Sequence, residues 1–192
     1  FITQHCFTGY RPIKGFNPIY SQALYMKSSF DGIAYRYAET LLINAEAKAE
    51  LNTITNADLD RTVNQLRDRV GMPHLTVNVG FTDPKWPDWG YSLSPVLQEI
   101  RRERCIELAG EGVRFNDLKR WKAGKLLNNV LTYVGKRKPD GNLAIVYPNY
   151  TNPDLSYQAG KSRTWEDKMY LYPIPTGELQ RNPQLLPQNP GW

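Results

Sequence analysis

Between Ala34 and Leu51 apolar and small residues return with helical spacing. At ~100° per residue, Ala34, Tyr37, Ala38, Leu41, Leu42, Ala45 and Ala49 fall within an arc of about 140°, a wide core-facing stripe. Four of these seven are alanine, so a neighbouring helix can approach closely. Glu50 falls on the solvated side. Residues 52–56 break the pattern. Leu59, Val63, Leu66 and Val70, separated by four, three and four positions, predict a second helix, stopped by Gly71 and Pro73. Residues 73–93 lack periodicity and read as a loop. Ser94 and Pro95 then supply an N-cap and a first-turn proline for a third helix reaching about Leu108. Its apolar stripe is Val96, Leu97, Ile100 and Leu108. Gly110 and Gly112 end it, and a shorter helix carries Phe115, Leu118 and Trp121.

Two amphipathic helices with a short connection form an αα-hairpin, and small residues on one face make this one resemble a tetratricopeptide unit. The fold class expected is therefore mainly α. A tetratricopeptide-like hairpin packs with further helices, followed by a Pro-, Tyr- and Asn-rich carboxy-terminal region with little regular structure. As a single domain, residues 1–32 would be an irregular or strand lead-in, 33–128 the helical core and 129–192 a loop-rich strap. One repeat unit cannot cover both its faces alone, so the pattern predicts a fragment of a longer chain with further repeats ahead of it.

Charge and composition narrow the chemistry. The net charge is +5, but the basic runs around Arg101 to Arg104 and Lys119 to Lys122 are interleaved with Glu99, Glu103, Glu107 and Asp117. A nucleic-acid interface would show basic residues unopposed on one face. Interleaving points to ion pairing among helices. Lys136, Arg137 and Lys138 read as an exposed turn. No apolar run approaches the ~18 residues of a membrane span. Two histidines, His5 and His74, and two cysteines, Cys6 and Cys105, exclude a His-rich centre or a cysteine cage. Both cysteines are expected unbridged, with Cys105 partly buried beside Ile106 and Leu108. No metal, cofactor or catalytic residue is predicted, and no phosphate-cradling loop or nucleophile motif occurs.

Two groups of residues invite a functional reading. Arg104 and Glu107 fall inside the apolar stripe of the third helix, where a charge persists only when paired. Arg36 and Glu39 are the expected partners. Glu103 and Glu107, at i and i+4 with Cβ atoms ~6 Å apart, could be mistaken for the carboxylate pair of a glycoside hydrolase. The surrounding arginines favour a structural ion-pair network instead. The second group is aromatic. Trp86, Trp89 and Tyr91 lie among Pro84, Pro87 and Gly90, and Trp165 follows Lys161, Ser162 and Arg163. Such rings can take the apolar face of a sugar, or can simply pack beneath their loops.

Four stretches carry a resemblance. Arg36-Tyr37-Ala38-Glu39 continues to Leu42 and Ala45-Glu46-Ala47. Asn64-Gln65-Leu66-Arg67-Asp68-Arg69-Val70-Gly71 follows. Glu103 to Trp121 is the most specific, and Tyr172-Pro173-Ile174-Pro175 with Glu178, Asn182-Pro183 and Gln188-Asn189-Pro190-Gly191 completes the set. In this order they resemble the carboxy-terminal block of the SusD/RagB family. Val70 and Gly110 depart from its pattern, where Ala and an aromatic are more usual. The resemblance implies an outer-membrane lipoprotein of the Bacteroidetes type, anchored by a lipid outside this chain and lying over a TonB-dependent transporter. Such a protein captures a glycan, or in some members a peptide, without chemistry. Under this reading Trp86, Trp89, Tyr91 and Trp165 are ligand-binding candidates, and Arg36, Glu39, Arg104 and Glu107 are structural. The rivals are a peptide-binding helical-repeat adaptor and a glycoside hydrolase.

Overall fold

The computed structural model of the protein describes Lys14, Ile19 and residues 33–128 and 164–192. Cys6, the Lys136 to Lys138 turn and most of the expected lead-in and strap lie outside the described residues. Within them the chain is helical, without a strand. They fall into two compact units that divide between Phe115 and Asn116. This division lies well before the compositional change near residue 129.

In the first unit α1 spans Tyr37–Glu50. It starts later than the periodicity suggests because Arg36 is extended, with φ −120° and ψ 143°. Ala38, Leu41, Leu42, Ala45 and Ala49 are buried as the stripe requires. Ala34 and Tyr37 are not: Ala34 precedes the helix, and Tyr37, in its first turn, is 70% exposed. Asn52 ends α1 in the left-handed region (φ 55°), and the Thr53 amide returns to the Lys48 carbonyl at 2.9 Å.

The second expected helix is two, α2 (Asn56–Asp60) and α3 (Val63–Arg69). Thr62 causes the break. Its buried hydroxyl donates to the Asp58 carbonyl at 2.6 Å, and its backbone leaves helical geometry at φ −129°, ψ −95°. A side chain that bonds back onto the preceding turn competes with the helical ladder. Leu59, Val63 and Leu66 still reach the core, while Val70, beyond the last turn, is 58% exposed. Asp58 closes a capping box with Thr55 at the start of α2 and accepts from Lys48 of α1 at 2.5 Å.

The longest remaining helix, α4 (Pro95–Glu107), lies against α1 with Val96, Leu97, Ile100 and Leu108 buried. Ser94 holds the extended N-cap conformation but contributes no side-chain cap bond. At the other end, carbonyls that the helix leaves unpaired are met by cations. Lys14 Nζ donates to the Glu107 and Ala109 carbonyls at 2.7 and 2.9 Å, and Arg36 donates to Glu107 O at 3.0 Å. Cys105 is a free thiol and exposed, and Ile106 is 64% exposed. The expected partial burial of Cys105 fails because both residues point away from the face that meets α1.

Helix α5 (Arg114–Arg120) begins two residues before the division and leads, in the second unit, to a 3-10 turn at Gly124–Leu127. Leu118 and Trp121 are buried, whereas Phe115, just before the division, is 44% exposed. The tail has 3-10 turns at Asp167–Tyr170 and Pro183–Leu185 and one short helix, α6 (Thr176–Arg181). Pro173 and Pro175 remove two amide donors, so this segment cannot form a ladder. Amide side chains replace it. Gln188 accepts from the Ile174 amide at 2.8 Å and donates to its carbonyl at 2.9 Å, and Asn189 donates to Tyr172 O at 2.6 Å.

Two expectations follow for stability. The Lys48 ammonium, aided by Thr55, holds the Asp58 carboxyl well below its ordinary value of 3.8. A depressed folded-state pKa contributes stability above the unfolded value that is lost as pH falls below it. Asp58→Asn should therefore be less stable than the parent at pH 7. Urea titrations at stepped pH should show the two converging below about pH 4. Separately, a Cβ on Gly124 would overlap the Trp165 indole. Gly124→Ala should lower stability by ~1–3 kcal/mol through overpacking, read as an earlier denaturant midpoint.

Candidate functional site: two clefts beside an aromatic loop

Residues 73–93 run from the end of the αα-hairpin to α4, and side chains of α3 and α4 hold them down. Asn64, 1% exposed, accepts from the Leu75 amide at 2.7 Å and donates to the Leu75 carbonyl at 3.0 Å. Arg67 donates to Pro73 O at 3.2 Å. Leu75 is thereby drawn into the core, with Val79 and Leu93 packed against it. Farther along, the Trp86 indole N–H donates to Glu99 at 2.8 Å and that of Trp89 to Gln98 at 2.5 Å. The loop is nailed to α4 by its own tryptophans.

The aromatic candidates take different places. Trp89 is 6% exposed, and the Arg101 guanidinium sits 5.1 Å from its ring centre. It packs beneath the loop, one of the two readings its sequence context left open, because Arg101 of α4 occupies its face. Tyr91 is 43% exposed, with its hydroxyl accepting from Arg101 at 2.8 Å. Trp86 is partly exposed and stacks on the exposed Phe81 with ring centres 5.9 Å apart. Trp165 lies in the second unit, tilted at 59° against Tyr170 with centres 5.0 Å apart, and its amide donates to Asn128. The structure therefore gathers Trp86, Trp89 and Tyr91 along α4, and Trp165 packs among residues of its own unit.

Two clefts open along this loop. The larger, about 350 Å³, is bounded by Phe81, Val79, His74, Arg102 and Ile106. The smaller, about 210 Å³, is bounded by Trp86, Lys85, Gln98, Arg102, Cys105 and Arg114. Arg102 and Ile106 border both.

Beneath the clefts runs a charge network wider than the four residues read from sequence. Arg36 stands 2.9 Å from Glu107, and Arg104 stands 3.6 Å from Glu39. Arg101 reaches Glu50 at 2.6 Å and Glu46 at 4.0 Å. Glu50 is thus the anchor of a buried guanidinium and not a freely solvated side chain. On the other edge of α4, Arg67 pairs with Glu103 at 2.9 Å and approaches Glu99 at 3.6 Å, and Arg69 meets Glu107 at 2.6 Å. Glu111 accepts from Arg36 and, at 2.6 Å, from Lys14. These bonds, Arg36 first, hold its carboxyl below the ordinary range against the opposing effect of burial. The same bond raises the Arg36 guanidinium. Arg67 and Glu46 escaped the sequence reading. The signal available for Arg67 was its place on the core-facing turn of α3, one position after Leu66.

Arg67→Ala would strand Glu103 and leave Glu99 with the Trp86 indole and Arg102. Its expected cost is ~3–5 kcal/mol, typical of breaking a buried pair. Arg61→Ala, at a pair whose arginine side chain is 72% exposed, should cost at most ~1 kcal/mol. Urea denaturation of both variants checks the contrast, and coincident midpoints would remove the network from the account of stability.

Comparison with known proteins agrees with this architecture. The sequence model of the SusD family matches residues 1–192. A "SusD-like protein P2" of Formosa agariphila is 32% identical over 166 residues, covering 86% of this chain and 27% of that protein. The crystal structure of a SusD-like protein from Bacteroides fragilis superposes with a TM-score of 0.50 at 30% identity, covering 82% of this chain and 25% of that one. The chain thus spans about a quarter of the length of these relatives. With the family model matched from end to end and the helical fold shared with a SusD-like structure, this chain belongs to the SusD family.

Proposed function

We propose that this SusD-family protein captures a glycan at the outer face of the outer membrane, to which a lipid anchors it, and passes the glycan to a partner TonB-dependent transporter. Family membership supports the role. The observation that carries it to this chain is Trp86. Its N–H is fixed on Glu99, its ring stacks on Phe81, and it stands partly exposed at the mouth of a cleft. A ring held rigidly and left open to solvent costs little further ordering when a flat apolar partner arrives. Tyr91 offers a second exposed ring nearby. Trp89 and Trp165 support this reading only as packing that fixes the loop and the tail.

The protein acts by binding and not by catalysis. Glu103 and Glu107, the carboxylates that could be mistaken for a hydrolytic pair, are engaged by Arg67, Arg36 and Arg69. Neither is positioned as an unencumbered acid or base.

Isothermal calorimetry of the full-length protein against panels of glycans and peptides tests the reading. Glycan binding without release of reducing ends is expected. Trp86→Ala should weaken it about ten-fold, equivalent to ~1.4 kcal/mol, with little change in melting temperature. Preferential peptide binding would favour a peptide-capturing protein. A collapsed melt would make Trp86 a core residue.

A further inference from the structure

Resting on the capture reading above, the geometry points to a sugar bearing a carboxylate or a sulfate ester as the occupant of the smaller cleft, the one bounded by Trp86. Donors outnumber acceptors among its described side chains. Among the described residues its lining holds Lys85, Arg101, Arg102 and Arg114 and one carboxylate, Asp83. Arg101 is already met by Glu50, and the cations assigned to the ligand are Lys85 and Arg102. Lysine and arginine only donate.

The side-chain acceptors Gln98 and Asp83 each already hold a donor. Gln98 Oε1 accepts from the Trp89 indole at 2.5 Å. Asp83 Oδ1 accepts from the Lys85 amide at 2.8 Å, and its Oδ2 faces Arg102 at 3.3 Å. A neutral sugar offers hydroxyls, each of which brings a donor as well as acceptor lone pairs. A ligand made only of acceptor oxygens matches the cleft better.

Two of the cations can serve such an anion at low cost. Lys85 is exposed, and among the described residues no carboxylate stands within salt-bridge distance of its ammonium. Arg102 has a side chain 52% exposed, and its contacts to Asp83 and Glu99, at 3.3 and 3.5 Å, are loose. An entering carboxylate or sulfate can replace them with a paired fork of short charge-assisted bonds. Arg101 acts differently. It is tied to Glu50 and Tyr91, so its charge is already met and it forms a fixed side of the cleft. The cleft, about 210 Å³, is smaller than the ~300–1,000 Å³ of drug-sized pockets. It therefore suits a single residue of a chain, its ring face on Trp86 and its anion toward Lys85 and Arg102.

The test is calorimetry of the full-length protein with polygalacturonate, κ-carrageenan and the neutral glucan laminarin. The variants are Lys85→Gln, Arg102→Gln and, as a charge-matched control on the exposed Lys125, Lys125→Gln. One of the two polyanions should bind, carboxylated or sulfated, with affinity that falls as salt rises. Lys85→Gln and Arg102→Gln should each weaken it about ten-fold, the scale of one charge-assisted bond, and Lys125→Gln should leave it unchanged. Lys85→Gln alone decides the matter if Arg102→Gln does not fold. Laminarin binding that is equal in all variants would overturn the anionic assignment and leave glycan capture standing. Equal weakening by Lys125→Gln would reduce the effect to general charge attraction and also overturn it. Binding of none of the three, with peptides bound instead, would remove both readings together.

Discussion

Four charged residues of α4, Glu99, Arg101, Glu103 and Arg104, are buried, and everything around the helix is arranged to match them. Removing a charge from water costs several kcal/mol per ion unless an opposite charge and hydrogen bonds compensate. The signs are sorted along the helix. Arg101 and Arg104 face the acidic edge of α1, and Glu99 and Glu103 face Arg67 of α3. The pairs also fix direction. Arg36 meets Glu107, Glu39 meets Arg104 and Glu50 meets Arg101, so the contacts climb α1 as they descend α4 and the helices run antiparallel. Apolar burial alone would tolerate small slips between helices, but a ladder of opposite charges penalises them.

The same constraint shapes the surface that carries the aromatic loop. Glu99 serves Arg67 from one side and the Trp86 indole from the other. Arg101 serves Glu50, stacks on Trp89 and holds the Tyr91 hydroxyl. The loop is therefore fastened to residues whose positions the core already dictates. This arrangement places aromatic rings at a solvent boundary with little freedom left to lose.

Much of this was legible in the sequence because apolar spacing records which side of a helix meets a neighbour. Leu42, Leu59, Val63 and Ile100, all completely buried, stood on the predicted stripes. Arg104 and Glu107 could be paired with Arg36 and Glu39 because charges that interrupt an apolar stripe demand partners. The break at Thr62 was hidden, since it depends on which way one hydroxyl turns. Trp86 and Trp89 are alike in sequence context, three residues apart in one loop, yet Arg101 covers one and leaves it buried while the other stays partly exposed. Arg67 and Glu103 lie 36 positions apart, and no local pattern joins such distant residues. The motif stretches that carried the family resemblance turn out to be largely fold devices: Asn64 and Arg67 close the loop, and Gln188 and Asn189 bind the tail.

The separations along the chain carry one more consequence. Arg36 and Glu111 are 75 residues apart, Lys14 and Glu111 are 97, and Glu50 and Arg101 are 51. Closing such loops costs entropy before any bond forms, and topologies rich in distant contacts fold slowly. A chain made from its amino terminus onward displays Glu39, Glu46, Glu50 and Arg67 long before α4 has been synthesised. Until then those side chains lack the α4 partners they have in the folded protein. Helix α4 pairs with both neighbours, Arg101 and Arg104 on α1 and Glu99 and Glu103 on α3, so its docking completes the two edges together.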